Sequence, residues 1–149
     1  MKRTLSLAAL TLLVLVLLPR LFGADPVLEI TVDVLEPTDQ PGEIDPGIKY
    51  LKEEMSRSPL KFQNYLNLAT AFRSIPLNQT ATIDFNLRRH LELVIIPKKI
   101  TERTSRFAVT LRSDGDIILS SELTLVKKGT VMIGASGSPN LIIAISEGF

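Results

Sequence analysis

Apolar residues recur at every second position in this chain, in short runs spaced about ten residues apart and closed by turn formers. A period of two belongs to a β-strand with one buried face. A helix cannot satisfy it, because its faces repeat every 3.6 residues or about that. Thr80 to Asn86 is the cleanest case, with Ala81, Ile83 and Phe85 alternating with Thr80, Thr82 and Asp84. Val27 to Leu35 sets Leu28, Ile30, Val32 and Val34 against Glu29, Thr31 and Asp33, so a half-buried strand is expected. Phe62 to Ser74 presents Leu66, Leu68 and Phe72 on one side. His90 to Ile96 presents Leu91, Leu93 and Ile95, and Arg106 to Arg112 presents Phe107, Val109 and Leu111.

The breaks between these runs are equally legible. Pro76 to Gln79 reads as a turn, and Pro97-Lys98-Lys99 is expected to interrupt a strand. Ser113-Asp114-Gly115-Asp116 is the strongest hairpin signal, since Asp-Gly accepts the positive φ of a tight primed turn. Ile117 to Val126 pairs back from it with Leu119, Leu123 and Leu125, and Lys127-Lys128-Gly129 turns the chain again. Thr130 to Gly134 and Leu141 to Ile145 flank a loop at 135–140. Leu141-Ile142-Ile143-Ala144-Ile145 is apolar on both faces, as a central strand covered on each side would be.

One segment breaks the pattern. Glu36 to Gly47 reads as an acidic linker with Pro37, Pro41, Gly42, Pro46 and Gly47 as breakers. Asp45-Pro46 then supplies a helix N-cap and a proline at the first helical position. Ile48, Leu51 and Met55 share one helical face, and Pro59 ends the helix at Ser58. The expected fold is mainly all-β. It is an antiparallel β-sandwich or open barrel of about eight strands with one short helix, after an N-terminal signal or anchor helix. Residues 25–149 are expected to form that single domain.

The first 24 residues carry a different signature. Lys2 and Arg3 precede an uncharged run from Leu5 to Leu18, and Gly23-Ala24 closes the segment. A basic start, an apolar core and small residues at the exit are the parts of a secretory signal. The run is shorter than the ~20 residues that cross a ~30 Å hydrocarbon core. Phe22 is a poor fit to a cleavage site after Ala24, so an uncleaved anchor through residues 5–18 is the alternative. Either way the domain is expected in the periplasm or secreted, with membrane contact only through the N-terminal segment if it is uncleaved. The chain has no Cys, which excludes disulfides and a cysteine-linked lipid.

Charge is uneven along the chain. Asp25 to Glu54 holds nine acids against Lys49 and Lys52, a net of −7, whereas Met55 to Phe149 holds seven acids against twelve Lys or Arg, a net of +5. This reads as two faces of one domain, or as an acidic arm that docks on a partner, with Glu36, Asp39, Glu43 and Asp45 as the partner-binding residues. The basic part lacks the clustered cations and stacking aromatics of nucleic-acid binding, and no nucleic-acid partner is expected.

Catalytic constellations are missing. His90 is the only His and reads as an edge residue near Glu92, so neither a triad nor a metal set forms around it. Asp114 and Asp116 are explained by their turn rather than by calcium. The glycines at 134 and 137 precede a strand, not the helix a phosphate cradle requires. Tyr50, Phe62, Tyr65 and Phe72 are expected to seal the helix onto the sheets. No catalytic residue, metal site or cofactor is expected.

Two resemblances follow from particular motifs. The segment from Ile44-Asp45-Pro46 onward combines that Asp-Pro helix, Phe62 and Tyr65, a run ending at Pro97, and Gly129-Thr130-Val131 before Ile133-Gly134 and Leu141 to Ile145. It resembles a group of small uncharacterised exported bacterial β proteins. Leu119 to Ser146, with its polar strand, Gly turn and two apolar strands, is similar to the C-terminal end of secretin pore domains. That second likeness implies association with secretion or pilus machinery.

The expected role is an exported, non-catalytic structural or protein-interaction domain of the bacterial envelope, with an envelope protein as partner. The alternative is a periplasmic carbohydrate- or small-ligand-binding module, against which the absence of Trp and a total of only two Tyr weigh, since such sites stack sugars on aromatics.

Overall fold

A computed structural model describes residues 23–57, 62, 64–135 and 140–148. Residues 1–22 of the expected leader at 1–24, the Ser58-Pro59 helix stop and positions 136–139 of the expected loop lie outside the described residues. Eight strands follow one another: β1 (Val27–Thr38), β2 (Asn64–Pro76), β3 (Ala81–Asn86), β4 (His90–Ile100), β5 (Thr104–Ser113), β6 (Asp116–Val126), β7 (Thr130–Ala135) and β8 (Leu141–Glu147). Between β1 and β2 sit a 3₁₀ turn, Pro46–Leu51, and a short α-helix, α1 (Lys52–Arg57).

The strands form two four-stranded antiparallel sheets, ordered β2-β1-β8-β7 and β3-β4-β5-β6. The chain changes sheet twice, between β2 and β3 and between β6 and β7, and at both crossings the two strands remain in contact. Order around the pair of sheets is therefore the order of the chain, closed where β8 pairs with β1. Short connections and antiparallel neighbours are what strands at this spacing can make without long crossovers.

One apolar core lies between the sheets. Leu28, Ile30, Val32 and Val34 of β1 and Leu141, Ile143 and Ile145 of β8 meet Leu91, Leu93 and Ile95 of β4 and Phe107, Val109 and Leu111 of β5. Full burial of one such side chain contributes about 1.5–3 kcal/mol. The inward faces expected for β3, β4, β5 and β8 are those observed.

A second, smaller core lies on the outer side of the first sheet. There Ile48, Leu51 and Met55 pack on Leu35, Tyr65, Ile142 and Ala144. The Asp45 side chain caps this helical segment by accepting from the Gly47 amide at 2.8 Å, and Pro46 sits in the first turn. This helical cover explains why β8 is apolar on both faces. It also corrects the half-buried reading of β1, because Thr31, Asp33 and Leu35 on its other face are buried too.

Other expectations change as well. β2 turns Ala69, Ala71 and Ile75 inward, while Leu66, Leu68 and Phe72 are exposed, Phe72 at 69 %. The pairing of Leu28 with Ile75 sets that register, and a bulge opposite Val34/Leu35 leaves Leu68 without a direct partner. β1 continues to Thr38, past residue 36 where the linker was placed. β4 runs through Pro97 to Ile100, and the register shifts between Pro97 and Lys99 because proline has no N–H to give the ladder.

The Asp-Gly hairpin forms as expected, with φ of 51° at Asp114 and 92° at Gly115. Asp114 also fastens the tip to β4, accepting from the His90 amide at 3.0 Å and donating its own amide to the His90 carbonyl at 2.9 Å. At the β6–β7 turn, a Cβ on Gly129 would approach the Val126 carbonyl oxygen to 2.8 Å, so only glycine fits there.

Candidate functional site

Three places gather the polar or open features of the domain. The first is a polar row across the outer face of the first sheet, beside the helical cover. Asp33 is fully buried, with 0 % exposure. It accepts from Thr70 Oγ1 on β2 and from the Tyr50 hydroxyl on the 3₁₀ turn. Tyr50 also engages Ser146 of β8, whose hydroxyl lies 2.8 Å from Thr130 Oγ1 of β7. The row thus touches all four strands of its sheet.

Burial first, and then the Asp33 carboxylate, push the Tyr50 hydroxyl well above the ordinary phenol value of 10. The bond with Ser146 acts in the opposite sense. Tyr50 therefore stays a neutral donor near pH 7 rather than a base. Ser146 is fully buried and closed to a substrate. What this row does is hold the helical segment on the sheet through a charge-assisted bond.

The second place is the end of the inner core. Glu147, the last residue of β8, is 2 % exposed. Its Oε1 accepts from Ser105 Oγ of β5 at 2.7 Å and from Lys127 Nζ at the β6–β7 turn. This carboxylate ties the two sheets together where their apolar residues end.

The third place is β6. It is the edge of the second sheet, and of its eleven residues only Leu125 is buried. Ile117 and Val126 are 60 % and 61 % exposed, and Ile118 is exposed between them. Among the described residues it has one ladder partner, β5, while β7, the next strand, belongs to the other sheet. A strand edge offers alternate backbone N–H and C=O groups with no ladder partner.

Of the four acids expected to bind a partner, Glu36 lies near the end of β1 and the other three lie between β1 and the helix. Glu36 is half-buried and lines a pocket of about 170 Å³ with Leu68, Leu87, Arg88, Arg89 and Leu141. Asp39 and Glu43 are exposed, and the Glu43 carbonyl accepts from Asn64 Nδ2 at 3.1 Å. Asp45 is the helix cap. They are neighbours in the chain, and of their carboxylates Asp45's is the one bonded to the helical segment.

His90 Nε2 lies 3.1 Å from Asp84 Oδ1 across the β3–β4 pair. Glu92, expected beside it, instead pairs with Arg112 of β5. Tyr65 is buried, with its ring edge-on to Phe62 at 6.1 Å, so both help seal the helix. Phe72 does not, because it stands on the outer face beyond the cover. Among the described residues, no group of three His, Asp or Glu comes together as a metal site. No helix among them is long and apolar enough to cross a membrane.

Sequence reasoning missed Asp33. A signal was present: Leu35 continues the Thr31-Asp33 face, and the Ile48-Leu51-Met55 stripe needed an apolar surface to cover. Comparison with protein-family models, characterised proteins and solved structures returns no match.

Proposed function

We propose that this chain is an exported, non-catalytic domain of the bacterial envelope that works through protein contacts. The observation that carries the reading is β6, a long edge strand with one ladder partner among the described residues and with Ile117, Ile118 and Val126 exposed. Backbone pairing at such an edge supplies affinity, and alternate side chains supply selectivity. The polar clusters elsewhere support it indirectly. Asp33, Tyr50, Ser146 and Glu147 are bound to one another or to strands and helix, which suits a rigid scaffold better than a reaction centre. We read the two sheets as a sandwich with a shared core, and residues 1–24 as the export signal or anchor.

A photo-crosslinking residue in place of Glu122, on the exposed side of β6, tests the reading in intact cells. One discrete adduct in the envelope fraction is expected. A ladder-free monomer band, or recovery of the protein in the cytoplasm, overturns it.

A further inference from the structure

We propose that the open half of the first sheet's outer face is a saccharide site, where one neutral pyranose ring stacks on Phe72 and bonds through its hydroxyls to Glu29, Arg73, Thr31 and Ser74. The inference does not rest on β6, which belongs to the other sheet.

The helical cover leaves this half of the face open. It packs on Leu35, Tyr65, Ile142 and Ala144, and along β1 it extends to Asp33 through the Tyr50 hydroxyl. Beyond Asp33 the outer face continues with Thr31 opposite Phe72 and Glu29 opposite Ser74. These four residues line a pocket of about 290 Å³ together with Arg73 and Gly148. β8 ends at Glu147, and Gly148 bounds the pocket there without a side chain.

Phe72 is the most exposed large apolar residue among the described ones, at 69 %. Its neighbours in the pocket are charged or carry hydroxyls, so the ring is a flat apolar surface set among polar groups. Arg73 Nη1 donates to the Phe72 carbonyl at 2.7 Å, which keeps the guanidinium beside that residue. Thr31 lies between Phe72 of β2 and Ser146 of β8 and is 6 % exposed. Among the described residues its hydroxyl has no hydrogen-bond partner. A hydroxyl so deeply placed is costly until a ligand or a water bonds it.

Charge and hydrogen-bonding capacity select the ligand. The Glu29 carboxylate only accepts and the Arg73 guanidinium only donates. Among the described residues neither is in an ion pair. An anion would meet Glu29 and a cation would meet Arg73, so the pocket suits a neutral molecule. That molecule must offer donors to Glu29 and acceptors to Arg73 together. Hydroxyl groups do both, and the hydroxyls of Thr31 and Ser74 are further partners of the same kind. A pyranose joins hydroxyls on its rim to a face of C–H bonds, and the negative face of a phenyl ring attracts such a face. Phe72 thereby supplies the platform in a chain without Trp.

Amide-shift titration of the purified full chain with cellobiose tests the site. The amides of Glu29 to Thr31, Phe72 to Ser74 and Gly148 are expected to shift together and to saturate with a Kd on the order of 1 mM. Phe72→Ala is expected to weaken binding about tenfold, with an unchanged melting curve because the ring is exposed. Phe72→Tyr is expected to bind as the wild type does. Glu29→Gln is expected to weaken binding about fivefold, since a neutral acceptor replaces a charged one. Cellohexaose binding as tightly as cellobiose or tighter identifies a glycan chain as the source, and binding of cellobiose alone identifies a free sugar. No saturable shift, shifts confined to other residues, or Phe72→Ala binding like the wild type overturns the site. Tetramethylammonium saturating the same amides more tightly than cellobiose also overturns it, because the pocket then takes a cation on Phe72 and Glu29. Cross-linking at Glu122 has no bearing on any of these outcomes, so the two readings stand or fall separately.

Discussion

β8 and β6 are both rich in aliphatic residues, yet one is the most buried strand of the molecule and the other the least. All seven residues of β8 are buried, because it lies between β1 and β7 in its sheet, with the inner core on one face and the helical cover on the other. β6 has one ladder partner among the described residues, β5. An Ile in β8 therefore holds the fold together, whereas an Ile in β6 faces outward. The contrast shows that apolar content marks a strand but does not say what covers it.

The sharpest way to break the comparison is to truncate equivalent residues. Ile143→Ala empties a fully buried position in the inner core and is expected to cost about 2–5 kcal/mol in chemical denaturation. Ile118→Ala, the β6 counterpart, is expected to have the smallest effect, because its side chain is exposed. If the two losses were equal, the distinction between strands would fail.

Glu147→Gln comes next. It keeps the shape but removes the charge that Lys127 and Ser105 address, and a loss of about 1–3 kcal/mol is expected. Lys127 is partly exposed, so solvent screening keeps the effect below that of a fully buried pair. The measurement is the urea midpoint at low and high salt, and a midpoint indifferent to the substitution would remove Glu147 as a tie between the sheets.

Tyr50→Phe tests the helical cover that makes β8 two-sided. It deprives buried Asp33 of a donor and is expected to cost about 1 kcal/mol near pH 7. Its pH signature has a definite sign. Tyr50 keeps its proton in the folded chain above pH 10, where the unfolded chain loses it. The folded state then binds more protons, so this stability is full below pH 10 and declines as pH rises above it. Tyr65, raised by burial, adds to the same decline. The wild type should therefore lose more stability than Tyr50→Phe on going from pH 9 to pH 11, and parallel curves would contradict the assignment.

Ile118→Ala should stay within about 0.5 kcal/mol in the single chain. Amide exchange sharpens the same contrast without mutation. β8 amides are expected to exchange only through global opening, and β6 amides through local opening. A β6 protected as strongly as β8 would mean that a partner already covers it.

Much of this architecture was legible beforehand. Ala81-Ile83-Phe85, Leu91-Leu93-Ile95 and Phe107-Val109-Leu111 declare their buried faces by alternation, and Asp114-Gly115 declares its turn. Asp45-Pro46 and the Ile48-Leu51-Met55 stripe declare a capped helix. These are local facts, set by side-chain period and by the φ a residue tolerates. β2 was not legible, because its larger residues, Leu66, Leu68 and Phe72, fall on the side that the pairing of Leu28 with Ile75 turns outward. The roles of Asp33 and Glu147 were hidden too, since their donors come from residues 17 and 20 or more positions away.

The sequence by itself determined the strands, the turns, the helical stripe and the absence of cysteine, because each depends on neighbours within a few residues. The tertiary structure alone decided which strands are covered twice, which carboxylates are buried with donors, and that β6 is the edge of its sheet. Those depend on strand order and sheet register, which distant parts of the chain settle together by competing to bury apolar surface and satisfy backbone groups.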